Sequence, residues 1–476
     1  MLNLNLAEHR LRLAELCVEH LGSVTAQSSI KEDRIYIGSI KDDVVNYLLS
    51  QLDKATVSMM PIIHTVNLCK RIVNKEASIY RQDPIREIHI KNEAQKAAIQ
   101  NIYDCLQTKQ KLTRANRCFK NSGQCFLQLI HIESKKKLEL RILKKHQCFV
   151  IPKANSPKEI DVFVTIGYDP LDISKRIYAV WTNELNFIMD DNGTVLSGDM
   201  KNPIGLIPVI EIANEDLNSG HFYNVEDQTL QDFTIQINAA LSDLFHIMRQ
   251  QGYAIPLIKG PMQVLKALEL VKVGPTRVLK LPTDVQDAEN KSAEVDFSFV
   301  SASPDLAASI DVISTLLSAF LSSRGVDPKT VNFKGDSKSY SSGWERFLAL
   351  IESFEASQDD IGVFQEVEYS LFNLVVAYHN AFFQDKTKLL PQFTSSKITE
   401  ASVSIKFAGP EVSETRIDKF NRLKGEKEAG IINQEKFIQE YFDMSEEEAK
   451  EYLTSIGYYE QKVTTLPEVT VELTPS

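Results

Sequence analysis

The sequence predicts an α+β protein, and three observations lead to that class. Apolar residues recur at the helical period over residues 225–251, 304–324 and 343–384. Between about 124 and 212 the period changes to two, the pattern of half-buried strands. Residues 253–302 lose the helical order and are punctuated by Pro256, Gly260, Pro261, Gly274, Pro275 and Pro282, so they read as a compact α/β insert between helices. At 476 residues the chain is too long for one ordinary core, and about two to four folding units are expected.

Residues 1–130 read as mainly helical. In the run Cys69–Tyr80, Ile72, Val73, Ala77 and Tyr80 share one stripe, and the helix stops at Asp83-Pro84 because proline disfavours helix in the residue before it. Residues 92–121 form another helical stretch, ending near Asn121-Ser122-Gly123. In the strand region, Leu138, Leu140 and Ile142 alternate with Lys137, Glu139 and Arg141. Two further strands are Asp161–Ile166 and Arg176–Thr182, and Phe187–Leu196 reads as a hairpin turning at Asn192-Gly193. The basic run Lys135–Lys137 reads as the solvated face of a hairpin. Prolines exclude helix from 202–210, and a polar loop follows to Asn224.

The helix 225–251 carries Leu230, Phe233, Ile237, Leu241, Leu244 and Met248 on one stripe, between an N-cap at Asn224 and a C′ glycine at Gly252. It would be about 40 Å long at 1.5 Å per residue. A helix around 261–270 and a strand at Arg277–Leu281 fit the insert. The next helix starts at Ser303-Pro304, uses Leu306, Ile310, Ile313, Leu317 and Phe320, and ends at Arg324-Gly325. Residues 326–342 are polar and exceed the usual connection length. A surface connection and a loop aimed at a passing polymer both fit them, with Lys329, Lys334 and Lys338 set against Asp327 and Asp336. A long helix occupies 343–384 and would span about 60 Å, with a solvated bend at Glu355–Asp360 and Gly362. A strand at Ala401–Phe407 follows, then charged helices, one opened by the capping box Ser445-x-x-Glu448. Residues 462–476 read as a loose tail.

Composition and missing motifs exclude several function classes. The net charge is -11 and the pI about 5.5. A protein that grips nucleic acid is usually basic, which weighs against a repressor or nuclease but not against a protein that DNA slides past. No P-loop, dinucleotide fingerprint, zinc-protease helix or nucleophile elbow occurs. Nine histidines are scattered without a partner at i+3 or i+4, and His246 reads as a packing residue. Asp359-Asp360 reads as a solvated helix break, since adjacent helical residues point apart. Six cysteines lie in the first third without a CxxC pair, and read as reduced, mostly buried thiols. No catalytic residue, metal site or cofactor is therefore expected. Charges interrupt the N-terminal leucines, which argues against a secretory signal. No window of ~18 apolar residues is apparent, so no membrane span is expected, and the protein reads as soluble and cytoplasmically made.

The order of parts resembles the portal proteins of tailed double-stranded DNA bacteriophages, from about Val66 to Leu453. The carriers are the helix Arg71–Tyr80 followed by Asp83-Pro84, the strand Tyr178–Glu184, and the proline-rich run Asn202–Glu215. Asn238, Ala239, Ser242 and Asp243 fall where the family keeps small and polar residues, and Gly430–Ile432 with Met444–Ala449 resembles its C-terminal part.

By that resemblance, residues 1–224 and 343–410 form a wing, and 225–252 and 303–325 form a two-helix stem. Residues 253–302 form a clip, 326–342 a tunnel loop, and 411–476 a crown and tail. The resemblance implies a head-to-tail connector ring, typically of twelve subunits, at one capsid vertex of the virion. Double-stranded DNA would pass through it during packaging and ejection, touching Lys329, Asn332, Lys334, Ser337 and Lys338 transiently and without regard to sequence. The implied partners are other copies of the chain, a terminase large subunit, a head-completion adaptor, and major capsid and scaffolding proteins, with no membrane. The implied stem packing uses Leu230, Phe233, Ile237, Leu241, Leu244, Ile310, Ile313 and Leu317. Two other classes stand beside this one: a structural adaptor or scaffold without a channel, and a catalytic head protein such as a protease or nuclease.

Overall fold

The computed structural model describes residues 3–132, 136–197, 200–213, 222–223, 228–251, 255–260, 279–282, 296–300, 306–328, 358–383, 394, 396–407, 416–442 and 444–455. The chain opens with four helices, α1 (Ala7–Gly22), α2 (Val24–Ile37), α3 (Lys41–Gln51) and α4 (Lys54–Met59). Then follow α5 (Leu68–Glu76), β1 (Ile85–His89), α6 (Glu93–Leu106) and α7 (Thr108–Ser122). Seven strands come next: β2 (Gln124–Ile132), β3 (Lys137–Leu143), β4 (Cys148–Lys153), β5 (Ser156–Asp169), β6 (Asp172–Trp181), β7 (Asn186–Asp190) and β8 (Val209–Ala213). The helix α8 (Thr229–Gln251) leads to β9 (Ile255–Gly260), β10 (Leu279–Pro282) and β11 (Asp296–Val300). Helices α9 (Leu306–Ser323) and α10 (Gln358–Phe382) precede β12 (Ser402–Lys406), and α11 (Arg416–Glu428), α12 (Gln434–Phe442) and α13 (Glu446–Ser455) complete the described chain.

The chain divides into two compact units, one of residues 1–337 and 353–408 and one of 338–352 and 409–476. Within the first unit, β4-β5-β6-β7 form an antiparallel meander, and α1 lays Leu13, Ala14 and Cys17 against its Val162, Val164, Val180 and Met189. The turn after β7 needs Gly193, which has φ +72, and a Cβ there would come 2.6 Å from the Leu11 amide nitrogen. Arg10 then seals the contact by donating from Nε to the Gly193 carbonyl at 2.9 Å. A second sheet, β3-β2-β8, has β2 at its centre. Its buried residues serve two cores: Cys125, Leu127 and Leu129 face α6, α7 and α10, while Phe126 packs with Cys148, Val150 and Phe163. In the insert, β9 pairs parallel with β10 and antiparallel with β11. The second unit packs Ile438 against Ala449 and Leu453. Its α13 has the expected capping box, with Ser445 and Glu448 exchanging hydrogen bonds.

Several sequence expectations are corrected. The helix expected over 92–121 is two helices, broken at Gln107 in the left-handed region (φ 53). The break lets Ile99, Ile102 and Leu106 face the same core as Leu112, Ala115 and Phe119. The helix expected to reach Tyr80 ends at Glu76, because Ala77 leaves helical geometry (ψ 68), and a short 3-10 turn carries Ile79–Arg81. The strand β1 was not expected. It pairs antiparallel with β12, joining Ile85 to Lys406 across most of the chain. The stretch at Asp360 is not a solvated bend. The helix α10 is continuous through Gly362, and Asp360 is buried in an ion pair with Lys120. Asn224, Gly252, Ser303, residues 261–270 and 343–357, and the tail 462–476 lie outside the described residues.

Candidate subunit interface

The pair α8 and α9 joins a core to an exposed apolar surface. Helix α8 buries polar residues at helical spacing. Thr234, Asn238 and Ser242 have no solvent exposure, and each returns a hydrogen bond to the carbonyl four residues earlier. Asn238 and Ser242 also hold the extended segment that precedes α5. Asn238 donates to the Val66 carbonyl at 2.8 Å and accepts from the Val66 amide at 3.3 Å, while Ser242 accepts from the Ile63 amide at 2.8 Å. Gln231 reaches the Asn121 carbonyl at 2.9 Å. Around this polar spine, Leu230, Ile235, Ile237 and Ala239 join a core shared with α2, α3 and α5. Beyond Leu244 the helix emerges, and Phe245 and Met248 are exposed. Burial raises the Asp243 carboxyl above its ordinary range, against the pull of His246.

Helix α9 has the opposite arrangement. Among its residues only Leu317 and Leu321 are buried. The ring of Phe320 stacks on Phe233 with centroids 4.0 Å apart, so the end of α9 lies beside the start of α8. Other apolar residues of α9 are open: Ile310 is 41% exposed, Leu316 55% and Val312 58%. The helix closes in a Schellman motif. Gly325 has φ +65, its amide bonds the Ser322 carbonyl, and the Val326 amide bonds the Leu321 carbonyl at 2.9 Å. Arg324 grips Glu76 with two bonds, Nε–Oε1 at 2.6 Å and Nη2–Oε2 at 3.2 Å.

The residues expected to pack the stem divide by exposure. Leu230, Ile237, Leu244 and Leu317 are buried, and Phe233, Leu241 and Ile313 are half-buried against the same core. Ile310 is exposed within the subunit. The candidate DNA contacts Lys329, Asn332, Lys334, Ser337 and Lys338 lie outside the described residues. The helix α9 also corrects the expectation that no segment could span a membrane, being long and apolar enough by length and composition, with a mean hydropathy of 1.6. Among the described residues no group of three or more His, Cys, Asp or Glu could hold a metal ion.

Sequence reasoning missed the charged groups that tie α10 to β1 and to the 3-10 turn before it. Glu368 on α10 is wholly buried and takes two bonds from Arg86, at 2.9 and 2.6 Å, and one from the Tyr80 hydroxyl at 3.2 Å. Burial opposes the charge on Arg86, but its bonds to Glu368 outweigh that and raise its pKa. Burial, then Glu368, pushes the Tyr80 hydroxyl well above its usual range. The available signal was Tyr80 with Asp83-Pro84, singled out as a helix ending.

A family model described as "Phage portal protein, SPP1 Gp6-like" matches residues 63–462. The chain belongs to the phage portal protein family. Helices α1 to α4 precede the match. A comparison with curated proteins finds no match. Among the solved structures that resemble this portal-family chain are gene transfer agent (GTA) particles. The neck of a native particle computed with C12 symmetry is 12% identical, covers 81% of this chain and 92% of that one, and has a TM-score of 0.40. A native GTA virion is also 12% identical, covering 78% and 88%, with a TM-score of 0.37.

Proposed function

We propose that the chain is one subunit of a ring, of twelve copies, that surrounds a channel for double-stranded DNA at one vertex of a capsid. Family membership supports the portal role, and the observation that carries the ring is the set of exposed apolar residues on α9. A side chain such as Leu316 left 55% exposed forgoes roughly 1 kcal/mol of burial. Ile310, Val312, Phe245 and Met248 are exposed as well, and a neighbouring copy would cover such side chains. A covering neighbour also accounts for a helix of membrane-like composition without a membrane.

In this reading α8 and α9 are the stem, residues 253–302 the clip, 326–342 the tunnel loop and 411–476 the crown and tail, with the remainder the wing. The clip would dock a terminase large subunit, then a head-completion adaptor, and the wing would meet major capsid and scaffolding proteins. The role is structural and needs no catalytic residue or cofactor. DNA would slide past because the subunit is acidic overall, with a charge of -11, while Lys329, Lys334 and Lys338, with Asn332 and Ser337, touch phosphates briefly.

Negative-stain microscopy of the purified chain tests the ring. Single rings with a central hole are expected, and a species without a hole would favour an adaptor or scaffold instead. Replacing Lys329, Lys334 and Lys338 together by alanine is expected to change the DNA packaging rate or retention while rings still form. Unchanged packaging and retention would remove the lysines from the channel.

A further inference from the structure

We propose that Glu76 is a positioning residue for self-association. By gripping Arg324 it fixes the direction in which the exposed apolar residues of α9 leave the core. The inference rests on the reading of α9 as a subunit interface.

Few side chains of α9 are buried. Leu317 and Leu321 are its only buried residues, with Ile313 and Phe320 half-buried against the same core, so hydrophobic contact follows one face and leaves Ile310, Val312 and Leu316 open. A small rotation about that contact becomes a larger displacement at Val312 and Ile310, which lie farther from it. Packing by Leu317, Leu321 and the Phe320–Phe233 stack is non-directional in the main and tolerates such a rotation. A planar guanidinium seated two-pronged on a carboxylate does not, because both bonds must keep their line.

The placement of the pair fits that task. Glu76 is the last residue of α5, and α5 buries Leu68, Cys69, Ile72 and Val73 in the same core as Leu321 and Val326. Its carboxylate is therefore carried by a fixed element. The Glu76 side chain is 9% exposed and that of Arg324 25%, so water competes weakly for the bonds. Arg324 sits between the helix and the Schellman turn, the point where the direction of α9 is set. The Gly325 turn and the buried Val326 lock the exit of the chain. The ion pair locks rotation of the helix about that exit. A surface ion pair would contribute little, but a partly buried, bidentate one joined to two packed elements restricts geometry as well as adding energy.

The test uses the full chain with Glu76→Gln, Arg324→Lys, and the exchange Glu76→Arg with Arg324→Glu. The concentration at half-assembly is read by light scattering, hydrogen exchange is read over 317–328, and the subunit's thermal midpoint serves as a control. Glu76→Gln is expected to raise the half-assembly concentration about tenfold and to speed exchange over 317–328, with a small change in thermal midpoint. Arg324→Lys keeps the charge without the fork, and is expected to fall between Glu76→Gln and the wild type. It carries the test if Glu76→Gln fails to fold. The exchanged pair is expected to recover at least part of the association, which a general loss of stability would not do. Variants that associate at the wild-type concentration, or whose association falls only in step with thermal midpoint, overturn the latch alone. A wild-type chain that never associates overturns the reading of the α9 face, and this use of the latch with it.

Discussion

Helices α8 and α9 are adjacent in space and opposite in design. The first buries Thr234, Asn238 and Ser242 completely, while the second leaves Ile310, Val312 and Leu316 in the open. Hydropathy alone would rank them the other way. The difference teaches that burial within one subunit follows hydrogen-bonding opportunity as well as apolarity. The polar spine of α8 is inside because the segment 63–66 has backbone groups that need partners there. The apolar stripe of α9 is outside because its partner is another chain, in the reading given above.

The most damaging way to probe that contrast is Asn238→Leu. It removes the partner of both the Val66 amide and its carbonyl while keeping a similar volume. The part-buried Val66 amide would be left unpaired and the carbonyl would keep only the Leu68 amide at 3.2 Å, for a loss of about 3 kcal/mol. Urea unfolding of the subunit should show a lower midpoint with an unchanged slope. A loss below about 1 kcal/mol would mean that the spine is incidental and the contrast with α9 is only one of composition. Phe320→Ala comes next. It deletes the ring stacked on Phe233, and because Phe320 is half-buried rather than buried the loss should be about 2 kcal/mol, short of a core phenylalanine.

Much of this contrast was legible in the sequence, and the illegible part has a physical cause. The 3.6-residue stripe found α8 and α9, and Arg324-Gly325 marked the end of α9 where the Schellman turn closes it. Periodicity also selected Leu230, Ile237, Leu244 and Leu317, all buried. It did not separate these from the exposed Ile310, because a stripe tells which residues share a face but not what lies opposite it. The pairing of β1 with β12, and the bonds of Glu368 to Tyr80 and Arg86, join residues nearly three hundred or more positions apart. No local pattern carries such information. The break at Gln107 escaped because a non-glycine residue with positive φ leaves no compositional mark. The candidate DNA contacts rest on the length and charge of a polar loop and on the family resemblance, and they lie outside the described residues.

A smaller effect should come from Asp243, on the emerging part of α8. Its folded-state pKa is raised from 3.8, chiefly by burial. A raised carboxyl contributes stability that is fully present below the unfolded value and is lost as pH rises through the folded one. At neutral pH the charged carboxylate therefore costs stability, so Asp243→Asn should be more stable than the parent at pH 7 and equal to it near pH 3. Denaturation midpoints of both proteins across that range decide the matter. Parallel curves would mean that α8 is already solvated at Asp243, and the boundary between its buried and open parts would move toward Asn238.

The smallest effect on the subunit is expected where the effect on assembly is largest. Replacing Val312 and Leu316 together by serine removes apolar area that is already more than half exposed. Serine lowers helix propensity slightly, so the isolated subunit should change by roughly 0.5 kcal/mol or less. Association should respond differently, because each ring interface would lose two side chains from its centre and each copy takes part in two interfaces. Thermal unfolding at low concentration and light scattering at high concentration separate the two outcomes. Loss of subunit stability in step with association would mean that α9 is covered from within its own chain, and its contrast with α8 would then be one of degree.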